Sequence, residues 1–387
     1  MKTSLQSLRL RFQLLSFFDN LLLIYPLYTV MFADRGLSTG QITSLLAAFS
    51  VAAIAFELPT GSLADKHSRR NIMLIGEASK VLAFVVWLVF QNYWGFLAGI
   101  ILWALKIALV SGAREALIYD ELATIKQTKS YTKLLGDTEA AGTIGVIVAA
   151  IGASLLAPHG YRIIIVATVL TAVISLICLL LLPPAAKRQR HDSKHLTHIM
   201  ACLKKVWRTP RILFLELLLG LVIGIATVED YFSLFFREHH FNNSQIALWM
   251  GLLYGFITLG SFLAGRIKFK QSSFSLFTMI SIASLFLATY APRLITPLSI
   301  SLVGLGAVFV YVLATGQLQE AVSDKERATM VSIGGIVAEL AALAVFAIVY
   351  LTARHTNYNY SLRVVALTAL ACAAILFGWE KLSTTRA

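Results

Sequence analysis

The sequence predicts an all-α membrane protein: twelve transmembrane helices in two pseudo-repeated six-helix bundles. Three observations predict it. Hydrophobic residues make up 58% of the chain and charged residues 14%, with a mean hydropathy of +0.76, whereas a soluble domain carries about 25% charged residues. Lys and Arg gather in alternate loops. A faint internal repeat relates the halves, with Phe32–Ile42 resembling Phe236–Ile246 and Gly61 aligning with Gly265 at the same offset.

A helix crossing a bilayer needs about 20 mostly apolar residues. Hydropathy divides the 387 residues into twelve such spans, roughly 9–32, 41–63, 70–90, 95–119, 134–157, 162–182, 211–235, 244–265, 272–290, 294–317, 328–352 and 361–380. Span 1 carries Asp19-Asn20 inside it and is too long for a signal-peptide core, so it is expected to persist as a helix. Small residues crowd span 2 (Ala47, Ala48, Ala52, Ala53), span 5 (Gly142, Gly145, Ala149, Ala150, Gly152), span 8 (Gly251, Gly255, Gly260, Gly265) and span 11 (Gly334, Gly335, Ala338, Ala341, Ala342). They mark helix contacts, because close backbone approach carries association in lipid. The other spans rest on hydropathy.

The longest connection, 183–210, separates a first bundle (1–182) from a second (211–387). It starts with Pro183-Pro184 and a basic run. Leu196, Ile199, Met200, Leu203 and Val206 then follow the spacing of a helix lying on a membrane surface. His191, His195 and His198 fall at helical spacing too, but without a carboxylate or Cys cluster they read as a solvated face rather than a metal site.

The net charge of +13 is topological. Basic groups cluster at Lys2–Arg11, Lys66–Arg70, Lys126–Lys133, Lys187–Arg211, Arg266–Lys270, Lys325–Arg327 and Lys381–Arg386, and the intervening loops hold isolated arginines. Such bias places both termini in the cytoplasm. It argues against nucleic acid as a partner, with attraction to anionic membrane lipids as a by-product. Cys178 and Cys372 lie in spans and Cys202 in the linker, so no disulfide framework is expected.

The loop after span 2 is the most specific motif. It reads Glu57-Leu58-Pro59-Thr60-Gly61-Ser62-Leu63-Ala64-Asp65-Lys66-His67-Ser68-Arg69-Arg70. Gly61 permits close backbones, and Asp65 can cap a helix start and draw guanidinium groups. The loop resembles the signature G-x-L-A-D-x-x-G-R-[RK] of the major facilitator superfamily of transporters, with Ser68 in place of the second Gly. That resemblance implies a major facilitator fold of two rocking halves. It also implies a cytoplasmic gating cluster of Gly61, Asp65, Arg69 and Arg70 with Asp120, the acid ending span 4. Glu57–Gly61 is similar to a bacterial branch of drug and metabolite exporters. Span 5 lacks the Gly-Pro of the antiporter pattern, and Lys106 stands near where span 4 usually has Arg. Spans 2 with 11 and 5 with 8 meet across the inter-half seam in the resembled fold; packing within each half is the other reading of their small residues.

An ionisable group at bilayer depth costs about 2.5–3.5 kcal/mol or more, so each marks a functional candidate. Asp19, Lys106 and Glu339 fall near midplane, and Glu229 and Asp230 in the outer third of span 7. The resemblance implies a cavity lined by spans 1, 4, 7 and 10, which selects Asp19, Lys106, Glu229, Asp230 and Gln317 for substrate and proton contact. Asp19 leads for exchanging a proton against substrate; pairing with Lys106 is the rival reading. Glu339 serves coupling or hydrogen bonding on a seam span. Phe18, Tyr25, Trp103, Tyr231 and Tyr311 are the cavity aromatics, able with Asp19 and Glu229 to hold an amphiphilic cation, while Lys106 equally permits an anion or zwitterion. Glu77 and Lys80 stand three residues apart and can neutralise each other.

The expected protein is a monomeric secondary carrier of a small, amphiphilic organic molecule, exporting it by alternating access coupled to protons. A proton-coupled importer, or an exporter of metabolites or siderophores, is the alternative. No Walker loop supports ATP drive, no histidine in the spans supports an intramembrane enzyme, and no room remains for a receptor's output domain. No cofactor or metal is expected.

Overall fold

The computed structural model describes residues 5–66, 68–182, 195–266, 272–323 and 326–385. The side chain of Asp65, expected with Gly61 in the gating loop, lies outside the described residues, as do His191 and the side chains of His195 and His198. The first span is built from α1 (Leu5–Asn20) and α2 (Tyr28–Asp34), followed by α3 (Thr39–Lys66) and α4 (Arg69–Val89). Span 4 is likewise divided into α5 (Tyr93–Val110) and α6 (Ala113–Thr124), then come α7 (Tyr131–Leu156) and α8 (Tyr161–Leu180). The linker helix is α9 (His195–Arg208), and α10 (Pro210–Thr227) with α11 (Glu229–Glu238) makes span 7. The chain finishes with α12 (Asn243–Ala264), α13 (Ser272–Ala288), α14 (Thr296–Ala321), α15 (Arg327–Ala353) and α16 (Tyr358–Thr385). Eleven helical segments among the described residues are long and apolar enough to cross a membrane, and α13 is a shorter twelfth.

Helix 1 breaks directly after Asp19-Asn20. In lipid a freed backbone group must find a partner inside the protein. Thr168 and Thr171 of α8 provide it: the Ile24 amide donates to Thr168 Oγ1 (3.0 Å), and Thr171 Oγ1 donates to the Leu21 carbonyl (2.7 Å). Glycines then let α7 lie on the broken segment. A Cβ at Gly145 would stand 2.4 Å from the Phe17 carbonyl oxygen, and one at Gly142 would stand 2.7 Å from Ser16 Oγ. These two glycines therefore serve packing within the first bundle rather than the seam that the resemblance suggested. A Cβ at Gly251 would meet the Ala150 methyl at 3.0 Å.

The repeat is written into the backbone. Gly36 (φ +87°) and His240 (φ +60°) take left-handed conformations at matching positions. Reciprocal caps follow at the same offset. The Ser38 amide donates to Gln41 Oε1 (3.0 Å) while the Gln41 amide donates to Ser38 Oγ (3.3 Å). Asn242 and Gln245 repeat this at 3.2 and 2.9 Å. Both are capping boxes, each satisfying two orphan amides of a helix start. The pattern Ser-x-x-Gln and Asn-x-x-Gln was present in the aligned segments, and its cap chemistry is what the repeat preserves.

The chain forms two compact units, Met1–His191 with Phe241–Gly251, and Asp192–His240 with Leu252–Ala387. In the first, α1 packs on α7 and α8, and α5 on α3 and α4. In the second, α10 is central and packs on α14, α15 and α16. The linker helix docks against α10 and α15 through buried Cys202 and Val206, leaving Met200 and Trp207 exposed. Lys205 Nζ donates to Glu326 Oε2 (2.6 Å), which also accepts from the Ser323 amide and hydroxyl.

Replacing Gly145 by Ala should destabilise the protein by about 1–3 kcal/mol through overpacking, read as a lowered thermal unfolding midpoint in detergent. Gly136→Ala on the same helix, where a Cβ meets nothing within 4 Å, should leave it unchanged or raise it. The Lys205–Glu326 tie has its own pH signature. Its hydrogen bonds pull the Glu326 carboxyl down from 4.5 to about 2. A depressed acid stabilises above its ordinary value and loses that contribution as pH falls through the folded one. The docking of α9, followed by limited proteolysis of the linker, should therefore hold at pH 4.5 and loosen toward pH 2.

Candidate functional site

Four buried charges meet in the first unit. Asp19, at the last turn of α1 before the break, receives Lys80 Nζ at 2.5 Å and Lys106 Nζ at 2.7 Å on the same oxygen. Lys80 Nζ also contacts Glu77 Oε2 (2.6 Å), which accepts from the Ser175 hydroxyl (2.8 Å). Lys106 Nζ lies 3.8 Å from Glu77 Oε1. The two acids and two bases balance. Buried charges survive only when paired and hydrogen-bonded, and every member here is. Side-chain exposure falls from 8% at Asp19 and Lys106 to 1% and 0% at Glu77 and Lys80. The cluster thus reaches open space only at its Asp19–Lys106 edge.

Asp19 and Lys106 meet as an ion pair, the rival to the reading that led for Asp19. Sequence reasoning left Glu77 and Lys80 outside the site as a self-neutralising pair. A charge count over the spans would have pointed to them, because Asp19 alone cannot satisfy two ammonium groups.

Trp103 is the hub of the aromatics in this unit. Tyr25, Phe49, Tyr28 and Phe84 rings lie 5.8, 6.0, 6.1 and 5.7 Å from it. Tyr25 and Trp103, both expected, are partly exposed, whereas Phe18 contacts its neighbour Phe17.

In the second unit a cavity of about 200 Å³ opens between α10, α11, α12 and α14. Its wall is apolar, with Val222, Leu253, Ile257 and Val303 among the lining, and Glu229 and Tyr311 are the lining residues that carry polar groups. Glu229 sits in the first turn of α11, where a helix start favours negative charge. Gly304 lets α12 approach α14, since a Cβ there would stand 2.6 Å from Leu253. The other expected residues lie apart from this cavity. Asp230 follows Glu229 without lining it; Tyr231 is buried against Phe346 and Tyr358; Gln317 accepts a hydrogen bond from Arg211; and Glu339 is half-buried in α15.

At the end of the first unit that carries α6, Arg69 NH1 donates to Asp120 Oδ2 (2.5 Å) and to the Ala116 carbonyl (2.7 Å). This joins the start of α4 to α6 as the motif implied. Arg70 instead donates to the Leu180 carbonyl (2.7 Å). Asp137 and Glu139, both on α7, pair with Arg9 (2.8 Å) and Arg114 (2.9 Å).

The family model described as Major Facilitator Superfamily matches residues 12–346. No curated protein matches the sequence. Among solved structures, the chain is similar to a variant of the nucleoside transporter NupG, with a TM-score of 0.81 and 16% identity over 96% of this chain and 99% of that one. It is similar also to a bacterial homologue of the human lysosomal transporter Spinster (TM-score 0.72, 15% identity, 97% and 95% covered). The xylose transporter XylE from E. coli gives 0.69 at 16% identity, with 97% and 96% covered. At these identities the likeness is one of fold.

Removing one partner of a buried ion pair costs about 3–5 kcal/mol because the other charge stays behind. Lys80→Met should therefore lower thermal stability sharply and by more than Arg114→Met, whose pair with Glu139 is exposed. Equal losses would mean that the quartet contributes no more than a surface pair.

Proposed function

The chain belongs to the major facilitator superfamily, and on that premise we propose that it exports a small amphiphilic organic molecule across the cytoplasmic membrane, coupled to protons. It is a transporter rather than an enzyme. The observation that carries the substrate class is the cavity of the second unit, an apolar wall holding one carboxylate and one phenol. Such a wall takes the apolar body of a ligand, while Glu229 accepts hydrogen bonds from an ammonium, amide or hydroxyl and Tyr311 orients it. Trp103 and Tyr25, whose rings meet edge to face in the first unit, offer a second aromatic surface. Protons enter the scheme through the acids held at membrane depth, Asp19 and Glu229 first, with Glu339 on α15 as a coupling group.

Outward transport rests on the exporter-like Glu57–Gly61 segment, and the loops rich in Lys and Arg are assigned to the cytoplasm. There the Arg69–Asp120 pair is a clasp that favours one side of the alternating-access cycle. The carrier works as a monomer in the lipid. A second reading is uptake of a polar, hydroxyl-rich solute, favoured by the likeness in shape to a nucleoside transporter and a xylose transporter.

Reconstitution into liposomes with an imposed proton gradient separates these. Cationic amphiphiles should move against the gradient in preference to anionic ones, a nucleoside or a pentose. Glu229→Gln should slow that movement about tenfold or more, the loss of a charge-assisted hydrogen bond worth about 1.5–3 kcal/mol. Asp120→Asn should keep substrate binding and lose turnover. Transport of every compound regardless of the gradient would refute coupling.

A further inference from the structure

Glu216 is a buried acid that no part of the proposed cycle uses. It lies on α10 near the end that follows the linker helix, 2% exposed, and neither carboxyl oxygen has a hydrogen-bond partner among the described residues. Its helix neighbours Ile212, Leu215 and Leu219 belong to an apolar core that also takes Met330 and Ile333 of α15. Facing it is Gly334, where an added Cβ would stand 3.3 Å from Glu216 Oε2.

Among the described residues, no charged group on the elements packed around α10 forms an ion pair with Glu216. Lys205 of α9 holds Glu326, and Arg211 at the start of α10 holds Gln317. Glu320 of α14, Glu339 of α15, and Glu380 and Lys381 of α16 make no ion pair with Glu216 among the described residues; α13 carries no charged residue. With no donor or counter-ion among the described residues, a buried carboxyl takes up a proton instead of staying ionised. The interface around it also has room to shift: one turn on, at Gly220 and Val337, begins an apolar cavity of about 470 Å³ between α10, α15 and α16.

We propose that Glu216 is a proton-carrying group of the second unit, neutral in this conformation and ionised when α10 and α15 part around Gly334 to admit water. In that step the carboxyl O–H bond breaks, the carboxylate keeps the electron pair, and the proton leaves on the entering water. The proposal rests on the proton-coupled reading above and gives it a residue that sequence inspection passed over.

Infrared difference spectra of the full-length protein, wild type minus Glu216→Gln, test the charge state directly. At neutral pH they should show the C=O stretch of a protonated carboxyl; a carboxylate signal in its place overturns the proposal. In proteoliposomes, Glu216→Gln should keep substrate counterflow within about twofold of wild type and lose gradient-driven accumulation by about tenfold or more. Glu216→Asp, which restores an ionisable group, should recover part of that accumulation, which a merely misfolded site would not. Wild-type transport that responds to the gradient and survives unchanged in Glu216→Gln overturns the role of Glu216 alone. A wild type that ignores the gradient overturns proton coupling itself.

Discussion

Asp19 holds two ammonium groups, Lys80 and Lys106, and on this contact the first unit depends. It ties the interrupted first span to α4 and α5 at the depth where water cannot stand in for a lost partner. Without Lys80 and Lys106 the acid would be a bare charge in hydrocarbon; without Asp19 two cations would repel each other there. The break just beyond it follows from the same constraint. Backbone groups released at Leu21 and Ile24 are taken by Thr171 and Thr168, so an irregular segment stays inside protein rather than facing lipid. Interrupted helices of this kind are where transporter folds place their ligands. The Asp19–Lys106 edge is the part of the quartet that retains exposure.

The two units reuse one backbone plan with different chemistry. Span 7 is interrupted near Val228 much as span 1 is near Ile24, and both lead into a left-handed residue and a capping box. The first unit fills its interior with a balanced charge cluster. The second is apolar in its core, with Glu216 lacking a partner among the described residues and Glu229 lining a small cavity.

Much of the site was legible before the fold. Asp19, Lys106, Glu229 and Tyr311 stood out as polar groups on the spans that the resemblance placed at a cavity, and the structure joins the first two in one cluster and the last two in one pocket. Arg69 and Asp120 meet as the motif implied. Three features were not legible. Glu77 and Lys80 looked self-sufficient because their spacing satisfies a helix rule that ignores neighbours. Glu216 was passed over. The glycines of α7 left seam and within-half packing both open, and Gly142 and Gly145 seat α1, because a missing Cβ records closeness without recording to what.

Hydropathy, charge bias and the loop motif by themselves determined a multi-span helical membrane protein of superfamily type. A bilayer admits few solutions, and each needs a long apolar run whose amide groups bond within the helix. Only the tertiary structure decided which charges neutralise which. Asp19 and Lys80 are 61 residues apart in the chain, and Asp19 and Lys106 are 87 apart. Their meeting depends on the rotation of three helices about their own axes, a quantity set by side-chain packing that no single span encodes.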